Sequence, residues 1–572
     1  LTSDYTNSSP LSINCIAREF TLDGGGHKLT SDTAGNISAF GDLLHEEAVT
    51  SSTASTITVS ASNSLITYIT ANIENKPVIK IISDDVIDAA EDANERLGEF
   101  ARVVSVVSGV ITLESSLYFT YTTSPRIFAL VSGKLLIKDL TLDVTSLATV
   151  DGTHIFSTKL MEPEFQNIEI LKGNDAGIVV RSCYKARVTN PSISNLTDDT
   201  GANNFGYGVD DSSSFNTRVI NGNFSNTRHA YTTNTAASTV GGPPDNFGAT
   251  MFGEVVNCSS TDNNDDAFDT HPNAYFTVFN GVTGYKNKKG LVKDRGKFTK
   301  VVNPVSDGDA FTVRSSARSD NLTIINPVSI NSSAIPLFFD PDATSNVFID
   351  GGMIEKVDGN EFIRFTNCNV AGSLNVKYTG ATDFTKMIKM TNSTVDLSSV
   401  NVDLKQSTSS NIRIVEIASG GANIAKINNL SIAATSGANA ISIVSDLTGT
   451  GTNIATIRNS LTTDAANLSG LLAQGSSIVN AYDGGTNDGF FVTITATDQG
   501  ISELTNNGNS LVSLIVAVTG GTKSLVALPD GLFVAQKLKI TMSKNSANFF
   551  KVRHGPTYNT DLISGADVTL VP

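Results

Sequence analysis

Residues 265–271 read Asp-Asp-Ala-Phe-Asp-Thr-His, which gathers three aspartates and one of the six histidines of a 572-residue chain into seven positions. Glycosidic hydrolysis takes one carboxyl group kept protonated as acid and another kept ionised as nucleophile or base, and their separation decides between retention and inversion. β-Elimination from a uronic acid instead needs a base such as histidine and a cation to stabilise the enolate-like intermediate. The acids and bases available are Asp210, His229, Asp266, Asp269 and His271, and the nearby cations are Lys289, Lys293, Arg295 and Arg314. The stretch 261–269 lacks the Gly at position six and the Glu at position twelve of an EF-hand loop, so neither metal nor cofactor is expected. His27, His45, His154 and His554 lie outside the cluster and read as structural, and Asp23–His27, "DGGGH", reads as a tight turn.

Such groups must be positioned by a scaffold, and the scaffold announces itself as a repeat. Tripeptides of the form apolar, any residue, Asn or Asp place their third residue at 139, 167, 190, 221, 257, 280, 303, 326 and 350. Four of the eight steps are 23 residues, in segments rich in Val, Ile and Thr and broken by Gly, Asn and Asp. That period fits one coil of a parallel β-helix, in which equivalent residues stack at about 4.8 Å. Ile137, Phe165, Val188, Val219, Val255, Val278, Val301, Ile324 and Phe348 then form an inward apolar stack, followed by an Asn/Asp turn ladder.

The two longest steps, 31 and 36 residues, adjoin one another and enclose loop insertions, which places function on the coils between about 195 and 320. Aligning residues 208–212, 230–234, 267–271, 290–294 and 310–314 puts Val209, Tyr231, Phe268, Leu291 and Phe311 inward. Asp210, Asp266, Asp269 and His271 then face outward into a groove beside His229, with Lys289, Lys293 and Arg295 on the next coil. With no Trp in the chain, sugar stacking falls to Tyr and Phe, such as Tyr207 and Tyr231.

Composition closes off other classes. The net charge of −16 repels phosphate backbones and anionic bilayers, so neither nucleic acid nor membrane is expected as a partner. No apolar run could span a bilayer and no signal peptide is visible, while the absence of an initial Met suggests a fragment or processed product. Cys15, Cys183, Cys258 and Cys368 are far apart and read as buried apolar residues rather than disulfides or ligands.

The expected organisation is all-β. Residues 1–130 form a cap and first coils with an insertion, in which 84–100 reads as helical; 131–470 form the helix of coils, ending near 470; and 471–572 form an antiparallel β-sandwich.

The chain resembles bacteriophage tailspike depolymerases of the pectate-lyase-like right-handed parallel β-helix type. The resemblance rests on "FTLDGGGHKL" near the start, the 23-residue coils, the "RHAYTT" (228–233) and "DAFDTH" (266–271) segments and the distinct β-rich C-terminal region. It implies a homotrimer on the virion tail, attached to the tail or baseplate through a region not visible in this sequence. Such a protein binds and cleaves a bacterial capsular or lipopolysaccharide chain at the host surface. On this reading Asp266, Asp269, His271, His229 and Asp210 are the catalytic candidates. Tyr207, Arg228, Tyr231, Lys289, Lys293, Arg295 and Arg314 are the substrate-binding candidates. Hydrolysis is favoured over lyase chemistry, and a non-catalytic receptor-binding spike or adhesin is the remaining alternative.

Overall fold

The computed structural model describes residues 1–434 apart from 17, 33–34, 89–91, 147–151, 199–204, 235–238, 357–358, 360, 381–384, 408–410 and 419–421. Between 440 and 570 it describes strand segments. The chain divides into two compact units, Leu1–Pro304 and Val305–Pro572.

The first unit is a parallel β-solenoid. A representative coil has three short strands, Arg187–Thr189, Ser192–Ser194 and Tyr207–Ser212, and the next repeats them at Arg218–Ile220, Asn223–Ser225 and His229–Asn234. The first two strands of a coil meet at a residue in the left-handed region, which asparagine tolerates better than other L residues. Asp139, Asn167, Asn190, Asn221, Asn257 and Asn303 all have φ between 49° and 54°. Their side chains bond up the stack: Asn167 Nδ2 donates to Asp139 Oδ1 at 2.7 Å and Asn190 Nδ2 to Asn167 Oδ1 at 2.9 Å. A second ladder, not anticipated from the sequence, follows five residues later at Asn195 and Asn226.

Two rungs differ from the expected register. Val255 pairs with Phe279, so Phe279 and not Val278 is the inward residue, and Gly281 takes the left-handed position. In the second unit Ile324 pairs with Ile349, leaving Phe348 exposed and Gly351 in the left-handed position. The pattern matched at both sites because an apolar residue stood one place too early. A glycine has no amide to signal a ladder, and it needs none to reach positive φ.

An antiparallel seven-stranded sheet is inserted between the early coils, with strands from Asp42–Ala48 to Arg126–Val131. The expected helix at 84–100 is a correction: Val78–Asp88 and Asp92–Val107 are strands, paired antiparallel through Gly98↔Ile82 and Phe100↔Lys80. The Ala, Glu and Leu content favours a helix locally, but pairing and burial of Leu97, Phe100, Ala101 and Val103 override it. The insertion's helix is Ser64–Ala71, capped by the Asn63 side chain, which accepts from the Ile66 N–H. Leu65 and Ile69 bury its inner face.

In the second unit parallel coils continue, and parallel pairing runs beyond 470 as far as Tyr482↔Thr505 and Asp483↔Asn506. Further on, Val512–Val518 pairs in parallel with Leu538–Lys544, and one antiparallel pair joins Phe550–Val552 to Val568–Leu570. An antiparallel sandwich is not among the pairings of the described residues. All four cysteines are buried and unpaired. No helix among the described residues is long and apolar enough to cross a membrane.

Candidate active site

The third strands of successive coils in the first unit carry the groups that could do chemistry. Register is set by the apolar column: Val209 pairs with Tyr231, Tyr231 with Phe268, and Phe268 with Val292. Phe268 is fully buried, which is worth about 2 kcal/mol and fixes the strand's facing. The second residue of the first three of these strands is small, Gly208, Ala230 and Ala267, because the coil interior crowds it. A Cβ on Gly208 would lie 2.5 Å from the Ala230 carbonyl oxygen and 2.8 Å from the Phe224 ring.

One residue along, Asp210, Thr232, Asp269 and Lys293 form a single column. The sequence alignment had placed Val292 beside Asp269; the strand Gly290–Asp294 is shifted by one, so Lys293 takes that place and Leu291 leaves the Phe268 column. The carboxylates do not line an open groove as expected. Asp266 and Asp269 are fully buried, and Asp210 and His229 nearly so. His271 keeps 24% of its side chain exposed.

Asp269 is the centre of the cluster. Its Oδ2 accepts from Arg295 Nη2 at 2.5 Å and from Thr232 Oγ1 at 3.4 Å, and lies 3.3 Å from His271 Nε2 and 3.9 Å from His229 Nε2. Its Oδ1 is buried and has no hydrogen-bond partner. Burial works against the charge, but the Arg295 guanidinium and a hydrogen bond from His271 outweigh it and hold the carboxyl well below the usual carboxylate range. Burial lowers both histidines, which favours their neutral forms despite the nearby carboxylate. His229 donates from Nδ1 to the Asp266 carbonyl at 2.5 Å, which leaves Nε2 as the acceptor facing Asp269.

Asp210, two coils away in the same column, behaves oppositely. Burial pushes its carboxyl up to about 6, with a hydrogen bond from Ser212 at 2.9 Å and the charge of Arg181 only partly opposing. Two coil spacings put the backbones of Asp210 and Asp269 about 9.5 Å apart. Burial also lifts Asp211, on the opposite face of the strand, to about 7. Its carboxyl accepts from Tyr231 Oη and Thr217 Oγ1, each at 2.9 Å.

Among solved structures, the chain shares this fold with the tailspike protein gp49 of Pseudomonas phage LKA1. Identity there is 17%, over 77% of this chain and 74% of that one, with a TM-score of 0.50. These neighbours are phage tailspikes: tailspike gp61 of Pseudomonas phage phi297 matches at 14% identity over 79% of this chain and 70% of that one, with a TM-score of 0.46. The gp54 tailspike of Acinetobacter baumannii bacteriophage AP22, solved with an A. baumannii capsular saccharide, matches at 13% over 96% and 74%, with a TM-score of 0.38. The likeness to gp49 is one of fold. No family model matches the chain.

Around the central cluster the candidates separate. Tyr207 stacks on His229 with ring centroids 5.3 Å apart, and Phe205 stacks on Tyr207 at 5.5 Å. The Arg228 guanidinium lies over both aromatic rings, 3.6 Å from Asp198. Lys289 is held by Asp265 at 2.7 Å, and burial notwithstanding, that bond brings Asp265 down to about 2. Tyr231 is a correction: it is fully buried, points inward and bonds Asp211, so its ring offers no face to a sugar. Arg314 belongs to the second unit, where its guanidinium lies over Phe311; Phe311 itself is only half-buried, not a core residue as expected.

Sequence reasoning missed Asp211 and Phe205. Asp211 shares the face of inward Val209 by alternation, a position where a carboxylate is not expected. The signal was present in the sequence: the tyrosine at 231 and the threonine at 217 supply hydroxyls to a buried acid. Phe205 lies just outside the repeat, where register cannot be counted. Among the described residues no group of three or more His, Cys, Asp and Glu is arranged to hold a metal.

Proposed function

We propose that this chain is a phage tailspike depolymerase that binds a bacterial capsular or lipopolysaccharide chain outside the cell and cleaves it by endo-glycosidic hydrolysis. The observation that carries the reading is the unlike pair in one column. Asp269 is ionised, with one oxygen saturated and the other without a partner, and Asp210 is lifted to about 6 two coils away. Their backbones stack about 9.5 Å apart, and side chains carried in parallel from one column would set the carboxyl groups at the wide end of the spacing used by inverting enzymes, which leaves room for a water.

In this scheme Asp210 gives its proton to the glycosidic oxygen as that bond breaks. Water, oriented by Asp269 Oδ1, attacks the anomeric carbon from the other side. Asp269 itself is too weak a base to keep the water's proton, and neutral His271, whose Nε2–H donates to Oδ2 at 3.3 Å, takes it on Nδ1. Arg295 keeps Asp269 charged throughout, and Arg228, lying over the rings of half-buried Phe205 and buried Tyr207, offers a cationic surface for the adjoining sugar.

A lyase mechanism on the same groups is the second reading. It is favoured by His229, whose Nδ1 is tied to a carbonyl so that neutral Nε2 is free to take a proton next to Arg295 and Asp269. The test is product chemistry on a panel of capsular and lipopolysaccharide preparations. Hydrolysis yields new reducing ends without ultraviolet-absorbing unsaturated sugars, and elimination yields both. If neither wild type nor Asp269→Ala shortens any polymer that the wild type binds, the chain is a receptor-binding spike and not an enzyme.

A further inference from the structure

We infer that the second unit carries a separate binding strip for an acidic oligosaccharide, built on the strands Phe311–Ala317, Leu337–Pro341, Glu361–Thr366, Thr385–Thr391 and Asn411–Ile417. The registers bring cations and aromatics together. Arg314 pairs with Phe338, Phe338 with Arg364, and Arg364 with Lys389. Alongside, Glu361 pairs with Lys386 and Lys386 with Arg413.

Two carboxylates, Glu361 and Glu416, are shared among the cations. Glu361 contacts Arg364, Lys386 at 3.7 Å and Lys389 at 3.0 Å, and Glu416 contacts Lys386 at 3.1 Å and Arg413. The carboxylates are the buried members of these pairs. Side-chain exposure is 11% for Glu361 and 2% for Glu416, against 31% for Arg364 and 23% for Lys389. The face shown to solvent is therefore cationic, and it stays so with exposed Asp340 at its edge. The chain as a whole carries −16, so a local cationic excess is not a reflection of composition.

The chemistry of the strip selects its ligand. Phe338 lies beneath the Arg364 guanidinium, 5.2 Å from ring centroid to Cζ, so a charged donor sits beside an aromatic face, a pairing suited to a sugar ring bearing a carboxylate or sulfate. Five strands at coil spacing span about 19 Å, several sugar residues in length. A long phosphate polymer would meet the acidic remainder of the chain, which favours a saccharide over nucleic acid.

The inference uses the saccharide reading above but not its catalysis. The test titrates the full chain with a sulfated dextran hexasaccharide, its unsulfated counterpart and a single-stranded DNA hexamer, at low and high salt. The sulfated sugar alone is expected to bind, more weakly at high salt. Lys389→Gln and Arg364→Gln each leave Glu361 two cationic partners and are expected to weaken binding about tenfold. Lys300→Gln, at an exposed cation of the first unit, is expected to leave it unchanged. In wild type the bound sugar should also shield Lys386 and Lys389 from an amine-reactive label, a readout that needs no variant. Equal binding of neutral and sulfated sugars, equal binding of DNA, or unshielded lysines would overturn the strip. Cleavage products from the panel above bear only on the catalytic reading.

Discussion

The asparagine ladder and the Asp210–Asp269 column are built from the same coils at the same spacing, yet they do opposite things. In the ladder like side chains stack, and the amides of Asn167, Asn190 and Asn221 each donate to the rung before, so these rungs satisfy one another. In the other column unlike residues stack, Asp, Thr, Asp and Lys, and no residue can be satisfied by a copy of itself. One carboxyl is left lifted to about 6, the other is held ionised, and one of its oxygens has no partner. A solenoid thus becomes a site where its repeat is broken, because only there do neighbouring coils hand a side chain an environment it cannot supply for itself.

The largest effect should come from removing that contrast. Asp269→Ala is expected to lower the rate of polymer cleavage about 10²–10⁴-fold while binding persists, measured by release of reducing ends. Asp210→Asn should cost a similar factor. On the proposed mechanism Asp210 acts in its protonated form, so wild-type activity should fall as pH rises through about 6, and the mutant's residual activity should lack that limb. A pH profile unchanged by Asp210→Asn would assign the acid to another group.

How much of this contrast was legible follows from what a repeat can and cannot encode. The ladder was visible because it is written in the same letters at nearly constant spacing, and it was misjudged only at Gly281 and Gly351, where the letter changes and the conformation does not. The site strand was visible as "DDAFDTH", and counting placed Asp269 beside Thr232 and Asp210. The fourth strand slipped by one because "GLVKD" offers two adjacent apolar residues, both buried, and only pairing decides that Val292 covers Phe268. The depth of burial was not legible at all. Alternation says which face a side chain takes, not how much neighbouring backbone covers that face.

A middle-sized effect separates the two faces of one strand. Asp211, adjacent to Asp210 but inward, is fully buried, and burial raises it to about 7. A carboxyl raised in the native state binds more protons folded than unfolded, so it lowers stability as pH climbs from about 4 to about 7, by up to about 1.4 kcal/mol for each unit of pH. Asp211→Asn should flatten that slope in denaturant unfolding followed across this range. Tyr231→Phe removes one of the hydroxyls Asp211 relies on and should cost about 1–3 kcal/mol. If Tyr231→Phe instead leaves stability intact while abolishing sugar binding, the inward placement of that ring is wrong.

The smallest effect sharpens the other half of the comparison. Asn221 sits at φ 54° and donates to Asn190 Oδ1 at a long 3.4 Å, so its conformation and its hydrogen bond can be weighed against each other. Asn221→Ala keeps neither advantage and should cost about 1–2 kcal/mol, mostly from forcing an ordinary L residue into the left-handed region. Asn221→Gly keeps the backbone and loses only the amide, and should cost about half as much or less in the same unfolding measurement. Gly281 and Gly351 already occupy rungs of this kind, each placed against the side-chain oxygen of the asparagine one coil before, Asn257 and Asn326. Equal losses for the two variants would mean that amide stacking, and not the turn, holds the ladder, and the self-satisfying column would then be an energetic device in its own right.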